Sequence, residues 1–210
     1  MIKLFFGSPG CGKSTLVAYF AYKYKQEALK RAMKGKKGTY KYIFCNYEVA
    51  NTSLFNRKDL DTKVFPSGSL ALIDEAGIDF NSRKTLKLTD ASITYFKKHR
   101  HYTNDIFLFS QSWEDVDCIL TRLCNEVWHC KKIGPWTLCR RILKVADVNP
   151  DTRKIEDCYK KEKLYKKFLP YPLGSFSFFV IYRPKYYHLF SSWECEEKPI
   201  IQGEPLIGNG

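Results

Sequence analysis

Hydrophobic positions along the chain follow two spacings: short apolar runs closed by glycine or polar residues, and longer stretches with apolar residues at three- and four-residue steps. Ile2 to Phe6 is a run of the first kind, ended by Gly7, and predicts a parallel strand buried on both faces. From Ser14 onward Val17, Phe20, Ala21, Tyr24 and Ala28 form one stripe at helical spacing, while Lys23, Lys25, Lys30 and Arg31 face water. That helix stops by Gly35, the Gly- and Lys-rich loop Lys34 to Lys41 follows, and Tyr42 to Cys45 predicts a second strand.

Past a loop over about Val49 to Ser69, the pattern predicts a strand at Leu70 to Ile73, a helix capped by Asp90 and running to about His101, and a strand at Ile106 to Phe109. A helix over Glu114 to Leu123 and a strand over Glu126 to Lys132 come next. Strands alternating with helices imply an α/β fold with a mainly parallel sheet flanked by helices, its ligands at the carboxyl ends of the strands. After Gly134 the pattern changes. Leu138 to Val145 predicts an extended strand, Asp157 to Lys167 a Lys-rich helix, and Phe178 to Phe190 two short aromatic strands, interrupted by Pro170, Pro172 and Pro184. Residues 1–135 are therefore expected to form the core, and residues 136–210 a β-rich C-terminal extension of the same domain or a small appendage.

Gly7-Ser8-Pro9-Gly10-Cys11-Gly12-Lys13-Ser14 matches G-x-x-x-x-G-K-[ST], directly after a predicted strand and at the start of a predicted helix, with Thr15 next. In such a P-loop, glycines let backbone N–H groups wrap phosphates, the lysine neutralises β and γ oxygens, and the serine ligates magnesium. The implied ligand is Mg-ATP. Leu70 to Ile73 delivers Asp74 and Glu75 at a strand end, where Asp74 can hold magnesium and Glu75 can polarise the attacking water, so hydrolysis is expected rather than switching. Gln111 ends the next strand, placed to sense the γ-phosphate or orient water, or else to cap the strand. Arg100, in Lys97-Lys98-His99-Arg100-His101, is one candidate for an arginine finger supplied across a subunit interface; Arg122 is a rival, and a solvated surface charge is the alternative for each.

With 35 basic and 22 acidic residues the formal net charge is +13, so the surface should attract polyanions such as nucleic acid or anionic lipid. Lys160, Lys161, Lys163, Lys166 and Lys167, interleaved with Tyr159, Tyr165 and Phe168, read either as a backbone grip with stacking or as a solvated helix face. The eight cysteines contain no Cys-x-x-Cys pair and are expected to be buried thiols rather than zinc ligands or disulfides. Met1 leads straight into a strand, which argues against a cleavable signal peptide, and the apolar stretch Phe176 to Tyr182 is too short to cross a bilayer.

The order of these blocks resembles a known family. An N-terminal P-loop, Ile73-Asp74-Glu75-Ala76, His99-Arg100-His101, Ile106 to Gln111 and Thr121-Arg122-Leu123 are similar to the zonular occludens toxin (Zot) family, which includes filamentous-phage assembly ATPases of the FtsK/HerA superfamily. The resemblance covers roughly the first 135 residues, and Tyr182-Arg183-Pro184-Lys185-Tyr186-Tyr187 is weakly similar to the end of the family domain. It implies a ring-forming ATPase, expected to be a hexamer, that drives single-stranded phage DNA through an envelope complex during virion assembly and extrusion. The phage coat and membrane assembly proteins would be its partners. It favours Arg100 as the finger. Family members usually carry a transmembrane helix after this domain, and none is seen in these 210 residues. The chain is then a short form docking on a membrane protein or a fragment, and its expected place is the host cytoplasm or the inner face of the membrane. A P-loop kinase acting on a small molecule and an ATP-dependent scaffold are the competing readings.

Overall fold

The computed structural model describes residues 1–76, 89–148, 155–161 and 178–191. The chain begins with β1 (Ile2–Phe6), α1 (Lys13–Ala32), β2 (Tyr42–Cys45), the two-residue β3 (Ser53–Leu54), a 3-10 turn (Arg57–Asp61) and β4 (Ser69–Ile73). It continues with α2 (Asp90–Lys98), β5 (Asp105–Ser110), α3 (Cys118–Leu123), β6 (Glu126–Ile133), β7 (Trp136–Val148), β8 (Ile155–Lys161), β9 (Phe178–Tyr182) and a second 3-10 turn (Arg183–Leu189).

These strands form one sheet in the order β3-β2-β4-β5-β1-β6-β7-β8, with β9 also paired to β7. All pairings from β3 to β6 are parallel, and those of β7 are antiparallel. The apolar runs are explained by cover on both faces. In β1, Phe5 packs with Leu16, Val17 and Phe20 of α1, whereas Ile2 and Leu4 turn to the opposite layer with Phe96 of α2 and Leu120 of α3. Leu70 and Leu72 of β4 join the α1 layer, and Ala71 and Ile73 the other. Because side chains alternate across a strand, a run buried on both faces must be apolar at every position.

Parallel pairing of β4, β5 and β1 brings their carboxyl ends to one edge, so Asp74, Gln111 and Gly7 meet there although far apart in the chain.

Several expected boundaries move. Thr89 rather than Asp90 caps α2, its hydroxyl accepting from the Ser92 N–H at 3.2 Å, and the helix closes at Lys98, with Asp90 in its first turn. The helix expected from Glu114 begins at Cys118, because Asp117 accepts from the Ile119 N–H at 2.7 Å and starts it there. Residues 155–161 are strand, not helix: their backbone pairs with the far half of β7, and that long-range pairing overrides the helical preference of a Lys-rich segment. The rest of that expected helix, including Lys163, Lys166 and Lys167, lies outside the described residues. The second aromatic strand is instead the 3-10 turn Arg183–Leu189, entered through Pro184, which has no N–H to give a ladder. Among the described residues, no helix is long and apolar enough to cross a membrane.

Candidate functional site

The loop between β1 and α1 is held by its own lysine and by strands far along the chain. Lys13 is 8% exposed, and its Nζ donates to the carbonyl oxygens of Gly7 at 2.8 Å and Ser8 at 3.3 Å. Gly12 caps α1 in a left-handed conformation (φ 97), with no side-chain cap and no acidic residue in the first turn. Helix N-terminal N–H groups are thus left to an outside anion. Neither Gly7 nor Gly12 tolerates a side chain. A Cβ on Gly7 would lie 2.2 Å from the Cys130 carbonyl oxygen, and one on Gly12 would lie 2.4 Å from Thr137 Oγ1 and 2.7 Å from Arg183 Cδ. The Thr137 hydroxyl donates to the Cys11 carbonyl at 2.7 Å, so β7 backs the loop directly.

Across the loop, the Ser14 hydroxyl donates to Asp74 Oδ2 at 2.8 Å. Asp74 Oδ1 accepts from the Glu75 N–H at 2.9 Å. Asn46, at the end of β2, braces the aspartate main chain from both sides: its Oδ1 accepts from the Asp74 N–H and its Nδ2 donates to the Asp74 carbonyl, each at 2.9 Å. Tyr47 donates its hydroxyl to the Ser14 carbonyl at 3.3 Å. Burial raises the tyrosine pKa far above its ordinary value, so it stays a neutral donor. Glu75 is exposed and has φ 51, a left-handed backbone that a non-glycine residue adopts only when its surroundings impose it.

Asp74 is 6% exposed, and burial raises its carboxyl pKa, opposed by the Ser14 and Glu75 hydrogen bonds. A hydroxyl and a buried carboxylate oxygen side by side are the donor types a magnesium ion accepts, so these residues fit that cation. A raised pKa means that the folded chain holds the Asp74 proton more tightly than the unfolded one. Its contribution to stability is present below the unfolded carboxylate value, at about pH 4, and declines as pH rises through the folded value. Replacing Asp74 with Asn is therefore expected to raise the melting temperature of the chain at neutral pH. The gain should shrink toward pH 4. Thermal melts across that range without magnesium are the check, and a variant less stable than the parent at pH 8 would contradict it.

A cavity of about 720 Å³ opens above the loop, bordered by Lys13, Ser14, Asp74, Glu75, Gln111 and Arg183, among others. Gly10, Gly12, Pro9 and Thr15 also line it. Arg100 does not. It lies in the turn after α2 and shares a surface hollow with Met1, Asp105 and Asn125, at the amino edge of the sheet. The length of β1, roughly 17 Å, separates the two edges. Arg122, exposed in the last turn of α3, is also absent from the cavity wall. Among the described residues, Arg183 is the arginine that the fold brings to the loop. No local spacing marks it, because Gly12 and Gly134, against which it packs and bonds, are distant in sequence.

The cysteines of this region are packing groups. Cys11, Cys45, Cys130 and Cys139 are buried and free, with the sulfurs of Cys130 and Cys139 3.4 Å apart across β6 and β7. Burial raises the Cys11 pKa, which favours the thiol. Cys118 is exposed, and Cys195 lies outside the described residues.

A strand order with β1 between β5 and β6, a glycine loop entering α1, and acids at the end of β4 define the P-loop NTPase fold. A family profile described as zonular occludens toxin (Zot) matches residues 25–172, most of the chain, beginning after the glycine loop. The chain belongs to the Zot family. The N-terminal domain of zonular occludens toxin from Neisseria meningitidis superposes with a TM-score of 0.53 at 17% identity, over 80% of this chain and 98% of that one. That likeness is one of fold. The genome packaging NTPase B204 from Sulfolobus turreted icosahedral virus 2, in complex with ATP-gammaS, gives 0.43 at 15% identity, over 74% and 95%. Flagellar accessory protein FlaH from Methanocaldococcus jannaschii gives 0.47 at 12% identity, over 74% and 88%. No curated protein matches the chain by sequence.

Proposed function

We propose that the chain is an ATP-hydrolysing motor of the filamentous-phage type that drives single-stranded DNA during virion assembly and extrusion at the host membrane. The observation that carries this reading is the hydrogen bond from Ser14 to Asp74 beneath a glycine loop, with Glu75 and Gln111 bordering the same cavity in a Zot-family chain. Loop amides and Lys13 would bind the β- and γ-phosphates, and Ser14 and Asp74 would hold magnesium, which neutralises phosphate charge when bound. Glu75 would draw the proton from the attacking water and Gln111 would orient that water.

The net charge of +13 supports a polyanionic substrate. Residues 136–210 are read as an extension of the core domain rather than a separate unit; β7 and β9 within the sheet, and Thr137 against the loop, support that. Arg100 or Arg122, neither of which lines the chain's own cavity, would act on a neighbouring subunit of a ring, which fits an arginine finger in trans. The inner face of the host membrane, with phage coat and membrane assembly proteins as partners, is the proposed setting.

The test is phosphate release from Mg-ATP by the purified chain with and without single-stranded DNA, beside a measurement of assembly state. Stimulation by DNA in an assembled species is expected. Phosphate transfer to a metabolite would assign a kinase instead, and ATP binding with no turnover a scaffold. In the same assay, mixing Arg100→Ala with Lys13→Ala subunits should restore part of the activity that each lacks alone; no rescue would remove Arg100 as the finger.

A further inference from the structure

The second 3-10 turn spans the glycine loop: Arg183 lies against Gly12 on the β7 flank, away from the acids, and Leu189 and Phe190 reach the residues after β2. In the sheet, β4 and β5 lie on one flank of β1, while β6, β7 and β9 lie on the other. Asp74 and Glu75 follow β4 and Gln111 follows β5, so metal and water belong to that flank. A nucleoside triphosphate running across the loop with its γ-phosphate toward the acids puts its other phosphates toward Arg183, and Tyr187, Phe190 and Ser191 border the same cavity.

Arg183 is fixed by the fold. Its backbone N–H donates to the Pro135 carbonyl at 3.0 Å, its Nη2 donates to the Gly134 carbonyl, and its aliphatic stem lies against Gly12. Its Nε is buried and makes no hydrogen bond. The guanidinium as a whole borders the cavity, so its fixed positive charge and remaining N–H groups face the space where an anionic oxygen would lie. The two tyrosines of the turn divide in role. Tyr186 is buried edge-on against Tyr19 and Tyr22 of α1, at 5.4 and 5.9 Å between ring centres, which ties the turn to the helix that the loop begins. Tyr187 is 48% exposed and borders the cavity instead. The far end is pinned too, since the Ala50 N–H donates to the Leu189 carbonyl at 2.8 Å and Val49 pairs with Phe190.

We propose that this turn is the nucleoside-binding half of the site, with Arg183 donating to the phosphate nearest the sugar and Tyr187 stacking on the base of a nucleoside triphosphate. The assignment rests on the nucleotide reading above and adds to it an anion contact and a stacking contact supplied within the same chain. An aromatic ring takes any base by its face, so affinity at this end comes from stacking rather than from base-edge hydrogen bonds.

The experiment is titration calorimetry of the full chain with Mg-ATP and, separately, with magnesium tripolyphosphate, which keeps the phosphates and lacks the nucleoside. Tyr187→Ala is expected to weaken Mg-ATP about tenfold and leave tripolyphosphate unchanged, with Tyr187→Phe near the parent. Arg183→Met, which keeps the stem packed on Gly12, is expected to weaken both ligands about tenfold, and Arg183→Lys to weaken them less. Melting curves check that each variant is folded, and Tyr187, being half exposed, keeps the test decisive if the arginine variants are not. Unchanged ATP affinity in Tyr187→Ala and in a folded Arg183→Met overturns the proposal while leaving the glycine loop as a nucleotide site. A parent chain that binds tripolyphosphate as tightly as ATP also overturns it. A parent that binds neither ligand removes the nucleotide reading itself, and this proposal with it.

Discussion

Lys13→Ala is expected to yield a folded chain that neither retains Mg-ATP nor releases phosphate. Lys13 Nζ is shared between the carbonyls of Gly7 and Ser8, so a cation sits inside the curve where phosphate oxygens would go. Its replacement removes charge neutralisation in a site where the side chain is almost fully shielded from water. A loss of at least about a hundredfold in kcat/KM is the expected scale for deleting one such electrostatic contact. The fold should survive, because the loop is also held from behind by Thr137 and by the hydrogen bond from the Cys11 N–H to the Ser8 carbonyl. Nucleotide titration and a phosphate-release assay are the measurements. Binding and turnover at parental levels would dismiss the loop as the phosphate site.

The second large effect belongs to Glu75→Gln. Glutamine has the same shape and leaves the backbone at Glu75 with the same left-handed geometry, so the N–H bond to Asp74 is preserved. What it lacks is a basic oxygen. The variant is expected to bind ATP as the parent does while turnover falls by about a hundred- to ten-thousandfold, the range for loss of a general base. Single-turnover hydrolysis of labelled ATP separates the two quantities. Parental turnover in this variant would take the proton-accepting role away from Glu75, and a matching loss of ATP affinity would assign it to binding instead.

Much of the fold could be read from periodicity because its parallel core is made of strands covered on both faces. Ile2–Phe6 and the run at Ile106 carry that mark at nearly every position, Tyr42–Cys45 is apolar but buried fully only at Cys45, and the boundaries of all three shift by a residue at most. The helical stripe of α1 was equally plain, since Val17, Phe20 and Ala21 are all buried in the layer below it. Where the type of element differed at 155–161, a distant partner decided. The Lys-rich stretch Asp157 to Lys167 has a local preference for helix, yet β7 extends to Val148 and offers an edge along which residues 155–161 pair. Thr89 and Asp117 start their helices through side-chain contacts with N–H groups only two or three residues away, but several neighbouring polar residues are equally plausible caps on sequence alone.

For the site, the chain by itself determined the groups whose chemistry is local: the glycine loop with Lys13 and Ser14, and a carboxylate pair at the end of an apolar run. Each is a contiguous string whose spacing has a direct physical meaning, so no knowledge of neighbours is needed to see it. Only the tertiary structure decided that Asn46 braces Asp74, that Thr137 backs Cys11, and that Arg183 rather than Arg100 or Arg122 stands beside the loop within this chain. Those residues act through partners on other strands, from Asn46 near Asp74 to Thr137 across 126 residues from Cys11. Proximity of that kind is created by sheet pairing, and a linear pattern contains no measure of it.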